Sequence, residues 1–519
     1  MTLPVAILVA AAAGFVALSY EIVWFRVYGF LTGGAASSFA VVLGVYLLGI
    51  AFGSLGVRRW CDDRGVQGED RRLLVPARLV LAASLLGWAL IPAVAEAVRR
   101  INYVYTLPAV ALVAGMLGAV LPLVAHFGVA NDRRVGERVS WIYLANIAGS
   151  TAGTLLTGFV ALDNWTLSQC ALALAVAGLA LAAALGALAG ARTRQLALLP
   201  IAGLLVWATP PAFDQVYEKL MYKRTWRPEL RFGHVIENRS GVVTTDAQGR
   251  VFGSGIYDGV FNTDLLDDVN LVVRAYAVAA LRPRYDKVLV VGFASGSWTQ
   301  ILANMPGVGH VTAIDINPAY IDLVRSVPRV ASVLQHPKVT LVLDDGRRWL
   351  RAHPEARFDL IVQNTTWHWR GHATGLLSAD YIDQTRAHLN PGGIDLYNTT
   401  SNDTVLRTAC LGFQHGFRIH NVFYGSDSPF AFDAARLSDA LDQWRIDGKL
   451  PLDRTTDAGQ RKWREIEAFL RAAQTSDNPA LGENCREIRA RLGPTPLLTD
   501  DNMLTEWYRP WWAQPVGGE

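Results

Sequence analysis

Six long apolar runs, residues 3–30, 39–57, 73–98, 104–130, 141–162 and 167–190, fill the first part of the chain. Each is about the ~20 residues that a helix needs to cross a bilayer core. A shorter apolar run follows at 196–208, and from residue 214 the pattern changes to charged and aromatic. Short strand-like runs come next at 234–238, 242–245 and 251–254, with the turn Asp246-Ala-Gln-Gly249 between the last two, and then a helix over 271–281. Four apolar runs at 288–291, 310–314, 339–343 and 358–363 alternate with helix-length segments, and Gly392-Gly393 opens a fifth strand through Asn398. Helices are expected over 381–389 and 404–413, with a charged helical tail from residue 434. Alternation of this kind predicts a parallel sheet covered by helices, with ligands at the carboxyl ends of the strands.

The expected fold class is therefore an α-helical membrane bundle followed by an α/β Rossmann-like domain of the class I methyltransferase type, with a small β subdomain ahead of it. The expected boundaries are 1–210 for the membrane domain, 211–231 for an interfacial linker, 232–286 for the β-rich piece and lead-in helix, and 287–519 for the nucleotide-binding domain. Gly49-Ile-Ala-Phe-Gly53 and Gly149-Ser-Thr-Ala-Gly153 have the spacing that lets helix backbones approach closely. Glu21, Arg78 and Glu96 are ionisable groups within the apolar runs.

Composition agrees with a membrane part: 51% of the 519 residues are hydrophobic. Lys and Arg number 48 against 45 Asp and Glu, a net charge of +3 that gives no electrostatic case for nucleic acid. Cys61, Cys170, Cys410 and Cys485 form no CxxC pair and no zinc pattern, and a pairing of Cys410 with Cys485 is left open. Arginines in the loops after the second and fourth runs, Arg58, Arg59, Arg64, Arg71 and Arg72 and then Arg133, Arg134 and Arg138, put both loops in the cytoplasm. The side reached by the rest of the chain turns on residues 196–208. Their shortness, Pro200 and the following Lys219, Lys223, Arg224 and Arg227 favour an interfacial segment and a cytoplasmic nucleotide domain; a short span would export that domain.

The candidate chemistry sits at four strand tips. Gly292-Phe293-Ala294-Ser295-Gly296 follows the first, where glycines let a ligand approach the backbone; the spacing lacks the GxGxxG of dinucleotide binders. Asp315 ends the second, some 20 residues on, where a carboxylate can accept from both hydroxyls of a ribose; an N-cap ahead of Pro318 is the plainer alternative. Asp344 and Asp345 end the third, with Asp345 suited to an adenine amino group or to capping the next helix. The fourth ends at Asn364 and opens the loop Trp367-His368-Trp369-Arg370-Gly371-His372-Ala373-Thr374.

With these residues in place, the segments VLVVGFASGSWTQ, VTAIDINPAYIDLV, HPKVTLVLDDGRRWL, FDLIVQNTT and HLNPGGIDLYNTT resemble the spermidine synthase family, whose members transfer the aminopropyl group of decarboxylated S-adenosylmethionine to an amine. SYEIVWFR, LANIAGSTAGTLLTGFVAL, GSGIYDGVFN and LLTDDNM are similar to its larger, membrane-fused form. The resemblance implies that Asp315 holds the donor's ribose, Asp345 its adenine, and Gly292 with Gly296 the loop around its sulfonium arm. Two departures stand out. Ser295 replaces the loop's acidic residue, and Asn364 replaces the carboxylate that takes the acceptor's proton, with the next family carboxylate falling at Trp367. An amide cannot serve as that base.

His368 or His372 can supply one, since histidine titrates near working pH. Trp367 and Trp369 are suited equally to stacking on a donor or acceptor and to core packing. Arg370 repels a polyamine unless Asp258, Asp427, Asp500 or Asp501 folds over the site. The expected activity is a membrane-anchored transferase with decarboxylated S-adenosylmethionine or S-adenosylmethionine as co-substrate and no metal. Aminopropyl transfer in polyamine biosynthesis is the family default, methyl transfer to a neutral or anionic acceptor the alternative, and a non-catalytic transporter or sensor the third reading. The expected partners are a small-molecule acceptor, a polyamine among them, and the lipid bilayer, with self-association left open. The aromatic run Trp507, Tyr508, Trp511 and Trp512 is suited to a bilayer surface or to packing.

Overall fold

A computed structural model describes residues 1–61, 73–130, 132–190, 196–364, 367–475 and 481–507. Two compact units emerge: the first holds residues 1–232 and 237–242, the second 233–236 and 243–510. Tyr508, Trp511 and Trp512 lie outside the described residues.

In the first unit six helices are long and apolar enough to cross a membrane: α1 (Leu3–Leu31), α2 (Ser37–Gly56), α3 (Leu74–Ala97), α4 (Tyr103–Gly128), α5 (Val135–Asn164) and α6 (Leu167–Leu188). They answer to the six apolar runs. Glycine lets them close. A Cβ on Gly53 would overlap the Gly115 carbonyl oxygen, and one on Gly149 that of Ala11, so α2 lies against α4 and α5 against α1 along these stripes. Two further helices follow, α7 (Leu198–Ala212) and α8 (Val216–Tyr222). Of the three ionisable residues in the apolar runs, Arg78 is exposed, Glu96 pairs with Arg99 and Arg100, and Glu21 is buried.

Two sheets follow, the larger one wholly within the second unit. β1 (His234–Asn238), β2 (Gly241–Thr245), β3 (Arg250–Gly253) and β4 (Ile256–Val260) form a four-stranded sheet in sequence order, the last strand extending the three runs read from sequence. The larger sheet has β5 (Tyr285–Val291), β6 (Val308–Asp315), β7 (Val339–Leu343), β8 (Phe358–Gln363), β9 (Leu389–Asn398), β10 (His415–Ile419), β11 (Val422–Ser426) and β12 (Gly482–Asn484). Its order is β12-β10-β11-β9-β8-β5-β6-β7, parallel from β9 through β7 and antiparallel beyond β9. The sheet is thus mixed. Antiparallel β10, β11 and β12 were not read from the sequence, because their few apolar residues are interrupted by Gly416, Gly425 and charged positions. Val288, Val290, Val311, Ala313, Leu360 and Val362 fill the core on one face, and Leu289, Val291, Ile314 and Ile361 fill it on the other. Burial on both faces explains why these runs read as continuously apolar. The chain reverses order between β5 and β8, and the crevice at this switch point is where α/β sheets bind ligands.

Candidate functional site

After the short helix α9 (Val273–Tyr276), the tip of β5 turns into α10 (Ser297–Ala303) through residues 292–296. Gly292 and Gly296 have φ of 93° and 72°, conformations that L side chains rarely adopt, and Ala294 between them is also left-handed at 46°. What holds this strained turn is Asp315. Its Oδ2 accepts from the backbone N–H of Phe293 at 2.8 Å and of Ala294 at 3.2 Å, while Oδ1 accepts from Asn317 at 2.9 Å. The side chain is buried, and burial pushes its carboxyl up to about 6 although three backbone N–H groups pull the other way. A carboxylate offers about four acceptor sites. Three are taken, so one remains for a ligand hydroxyl, and a grip on two ribose hydroxyls would require a loop N–H to let go. The N-cap ahead of Pro318 belongs instead to Asn317, which accepts from Ala319.

At the third tip Asp345 caps α12 (Gly346–Ala352), accepting from Arg348 N–H at 2.7 Å. Asp344 accepts from the backbone of Asp345 and pairs with the Arg348 guanidinium, which holds its carboxyl below the ordinary range. Asn364 at the fourth tip has its carbonyl oxygen 3.6 Å from where a Cβ on Gly292 would sit, so the first and fourth tips are neighbours. Its side-chain oxygen accepts from Asn398 at 3.5 Å.

A second group of residues closes on the glycine loop from β4. Asp258 pairs with Arg370 at 3.2 Å and accepts from the Tyr320 hydroxyl at 2.5 Å. Gly253 leaves the space, since a Cβ there would overlap both Asp258 Oδ2 and the Tyr320 hydroxyl. Gly259 lies against Ser295, with a notional Cβ 3.4 Å from its Oγ. Burial works against the Arg370 charge, yet Asp258 and Tyr320 beside it hold the guanidinium above its ordinary value. Of the four acids that were expected to shield this arginine, the structure uses Asp258. Asp500 instead forms a two-point ion pair with Arg347 and accepts from Ser378, and Asp427 pairs with Arg386.

The loop after β8 is braced from the far end of the chain. Glu506 accepts from the Thr374 hydroxyl at 2.5 Å and its N–H at 3.2 Å, and the Thr505 hydroxyl donates to the His368 carbonyl at 3.0 Å. His368 Nδ1 lies 2.8 Å from the Thr400 hydroxyl, Trp369 is buried, and His372 is exposed with φ 68°. Tyr320, Thr400 and Glu506 escaped the sequence reading; Tyr320 lies five residues past Asp315, near enough for its helix to return it to the site. Among the described residues no group of three His, Cys, Asp or Glu is placed to hold a metal ion.

The sequence profile described as the spermine/spermidine synthase domain matches residues 275–411, a stretch that spans the glycine loop, Asp315, the two acids after β7 and the loop after β8. The chain carries a spermine/spermidine synthase domain. Curated proteins similar to it include the polyamine aminopropyltransferase of Agathobacter rectalis, 29% identical over 120 residues, or 23% of this chain and 41% of that protein. The polyamine aminopropyltransferase 2 of Streptomyces coelicolor is 26% identical over 420 residues, covering 75% of this chain and 71% of that one. The chain spans 41% and 52% of the first curated relatives it matches, about half their length. A crystal structure of spermidine synthase with the transition-state analogue AdoDATO aligns at 14% identity and TM-score 0.34, over 42% of this chain and 80% of that one. Within this chain the spermine/spermidine synthase domain begins just before β5 and ends in α14 (Asp403–Gly412), α13 being Ala379–Ala387 and α11 Pro318–Ser326.

Proposed function

We propose that the protein is an integral-membrane transferase that binds an S-adenosyl sulfonium donor at its spermine/spermidine synthase domain and alkylates a small acceptor, with aminopropyl transfer as the primary reaction. The observation that carries this reading is the glycine turn at the β5 tip, braced by the Asp315 carboxylate at the neighbouring β6 tip. The donor's ribose docks on the remaining acceptor site of Asp315, its adenine lies toward Asp344 and Asp345, and its sulfonium arm runs along Ser295 and Gly296. Asp345 then serves adenine only through the oxygen that α12 leaves unused.

Displacement at the carbon beside sulfur needs an in-line nucleophile more than it needs covalent help, and positioning supplies most of the acceleration. Trp367 and Trp369 enclose the acceptor, and His368, oriented by Thr400, takes its proton. Arg370 contributes by fixing Asp258 against the glycine loop. Incubation of the full chain with decarboxylated S-adenosylmethionine and an amine should release methylthioadenosine. Release of S-adenosylhomocysteine from S-adenosylmethionine instead would establish methyl transfer, and binding of both donors without product would establish a sensor.

A further inference from the structure

We infer that α7 and α8 together make a seventh membrane crossing, so that the chain after Tyr222 stands on the side opposite the arginine-rich loops, the extracytoplasmic one. This reverses the expectation drawn from the shortness of residues 196–208, and it rests on contacts within the first unit.

α7 packs against α6, and from its end onward the chain runs alongside α3 in the same direction. Trp88 Nε1 donates to Thr209 Oγ1 at 3.1 Å, and the Trp88 ring lies 5.9 Å from that of Phe213. Just past the end of α3, Arg99 sits 4.1 Å over the Trp226 ring and Arg224 donates to the Arg100 carbonyl at 3.5 Å. Contacts therefore advance from Trp88 on α3 to Arg100 beyond it as they advance from 209 to 226 on the later chain. The segment travels to the end where α3 finishes.

Other helices finish or start at that same end. Tyr217 packs 4.7 Å from Phe30 near the close of α1. Glu237 accepts from the Tyr217 hydroxyl at 2.7 Å and from the N–H of Leu167, the first residue of α6, at 2.8 Å. Arg26 donates to the carbonyls of Asn238 and Gly241, and the Arg239 N–H donates to Asp163 at the close of α5. Since α6 departs from this end, a chain that is back there by Tyr217 has crossed again. Fifteen residues of α7 give about 22 Å of the ~30 Å required. α8, with Val216, Tyr217, Leu220 and Met221 buried in the bundle, completes the passage.

The opposite end carries the basic loops. Among the described residues that end holds Arg58 and Arg59, then Arg133, Arg134 and Arg138, and the sequence between the same helices adds Arg64, Arg71, Arg72, Arg192 and Arg194, whereas the short connections at the exit end hold Arg99 and Arg100. The positive-inside rule makes the first end cytoplasmic. Lys219, Lys223, Arg224 and Arg227 do not count against this, because a long domain after the last crossing is exported largely regardless of charge. Among the described residues the other short apolar helical stretch, Val269–Leu281, is packed in the core of the second unit from Val272 onward and offers no way back. An independent observation agrees: Cys410 and Cys485, in the second unit, form a disulfide, the bond of an oxidising compartment.

The topology stands without the donor reading. Where the two are joined, a permanently cationic sulfonium nucleoside cannot cross hydrocarbon unaided, so the step that supplies it is a membrane export step. The test is labelling of the full chain in intact cells by a membrane-impermeant maleimide. Gln248→Cys, in the exposed turn between β2 and β3, should label at least tenfold faster than Arg133→Cys beside α5, with equal rates once the cells are permeabilised. Trapping thiols with an alkylating reagent at lysis should leave Cys410 and Cys485 unmodified until a reductant is added. A labelling ratio below tenfold in intact cells, or free Cys410 and Cys485 thiols at lysis, overturns the inference. Because neither readout uses activity, a failed donor assay leaves this result standing, and the reverse holds too.

Discussion

Asp315 pins the left-handed turn at Ala294, and under the proposed function the same carboxylate offers its last acceptor site to the donor. Asp315→Asn keeps one oxygen but turns the other into a donor facing backbone N–H groups. At about 1–3 kcal/mol for each buried donor left unpaired, a fall of several degrees in the unfolding midpoint is expected by scanning calorimetry, with donor affinity down at least tenfold. The acid also makes a pH prediction. Its folded-state value of about 6 lies above the ordinary one, so the buried ionised form costs stability above about pH 6, and protonation relieves that cost as the pH falls. Donor affinity should therefore drop between pH 7 and 5 while this group's contribution to stability rises; a titration with parallel losses of both would contradict the assignment. Arg370→Ala strips Asp258 of its cation and should cost about 3 kcal/mol, with Asp258→Asn partly offsetting it in a double-mutant cycle followed by urea unfolding. The sequence exposed the residue types at these tips but not their partners. Asp315 read as a free ribose acceptor because nothing in a linear pattern marks the Phe293 and Ala294 N–H groups that occupy it, and the Tyr320–Asp258 bond joins residues 62 positions apart.

The elements were legible wherever burial is continuous along the chain. β5, β6 and β8 are buried on both faces and declare themselves as unbroken apolar runs, while β10, at the antiparallel end, offers no such period. α7 was visible as apolar, but its path was not, because direction depends on Trp88 meeting Thr209 and Phe213, which only packing reveals. The glycine stripes are the most direct link from sequence to helix packing. Gly53→Val should disrupt the α2–α4 contact and yield aggregated or proteolysed protein, since its side chain has nowhere to go against the Gly115 backbone. Gly44→Ala, with nothing within 4 Å of its added carbon, should leave expression and the elution profile unchanged. Equal behaviour of the two variants would refute this packing account.

At the scale of the whole molecule, the sequence separated an apolar helical part from an α/β part, and that division rests on composition alone. The disulfide was left open because Cys410 and Cys485 lie 75 residues apart, and only the fold brings α14 to the segment after β12. Closing a loop of that size should contribute about 4 kcal/mol, so Cys410→Ser should unfold at clearly lower denaturant than the oxidised wild type and match it after reduction. The central claim concerns an adenosyl sulfonium compound at the rim of the large sheet, and calorimetric titration of the purified full chain tests it most directly. The account predicts saturable heat with S-adenosyl sulfonium donors at pH 7.5 that falls at least tenfold in affinity in Asp315→Asn. No heat with any such donor, or equal affinity in the variant, would contradict it.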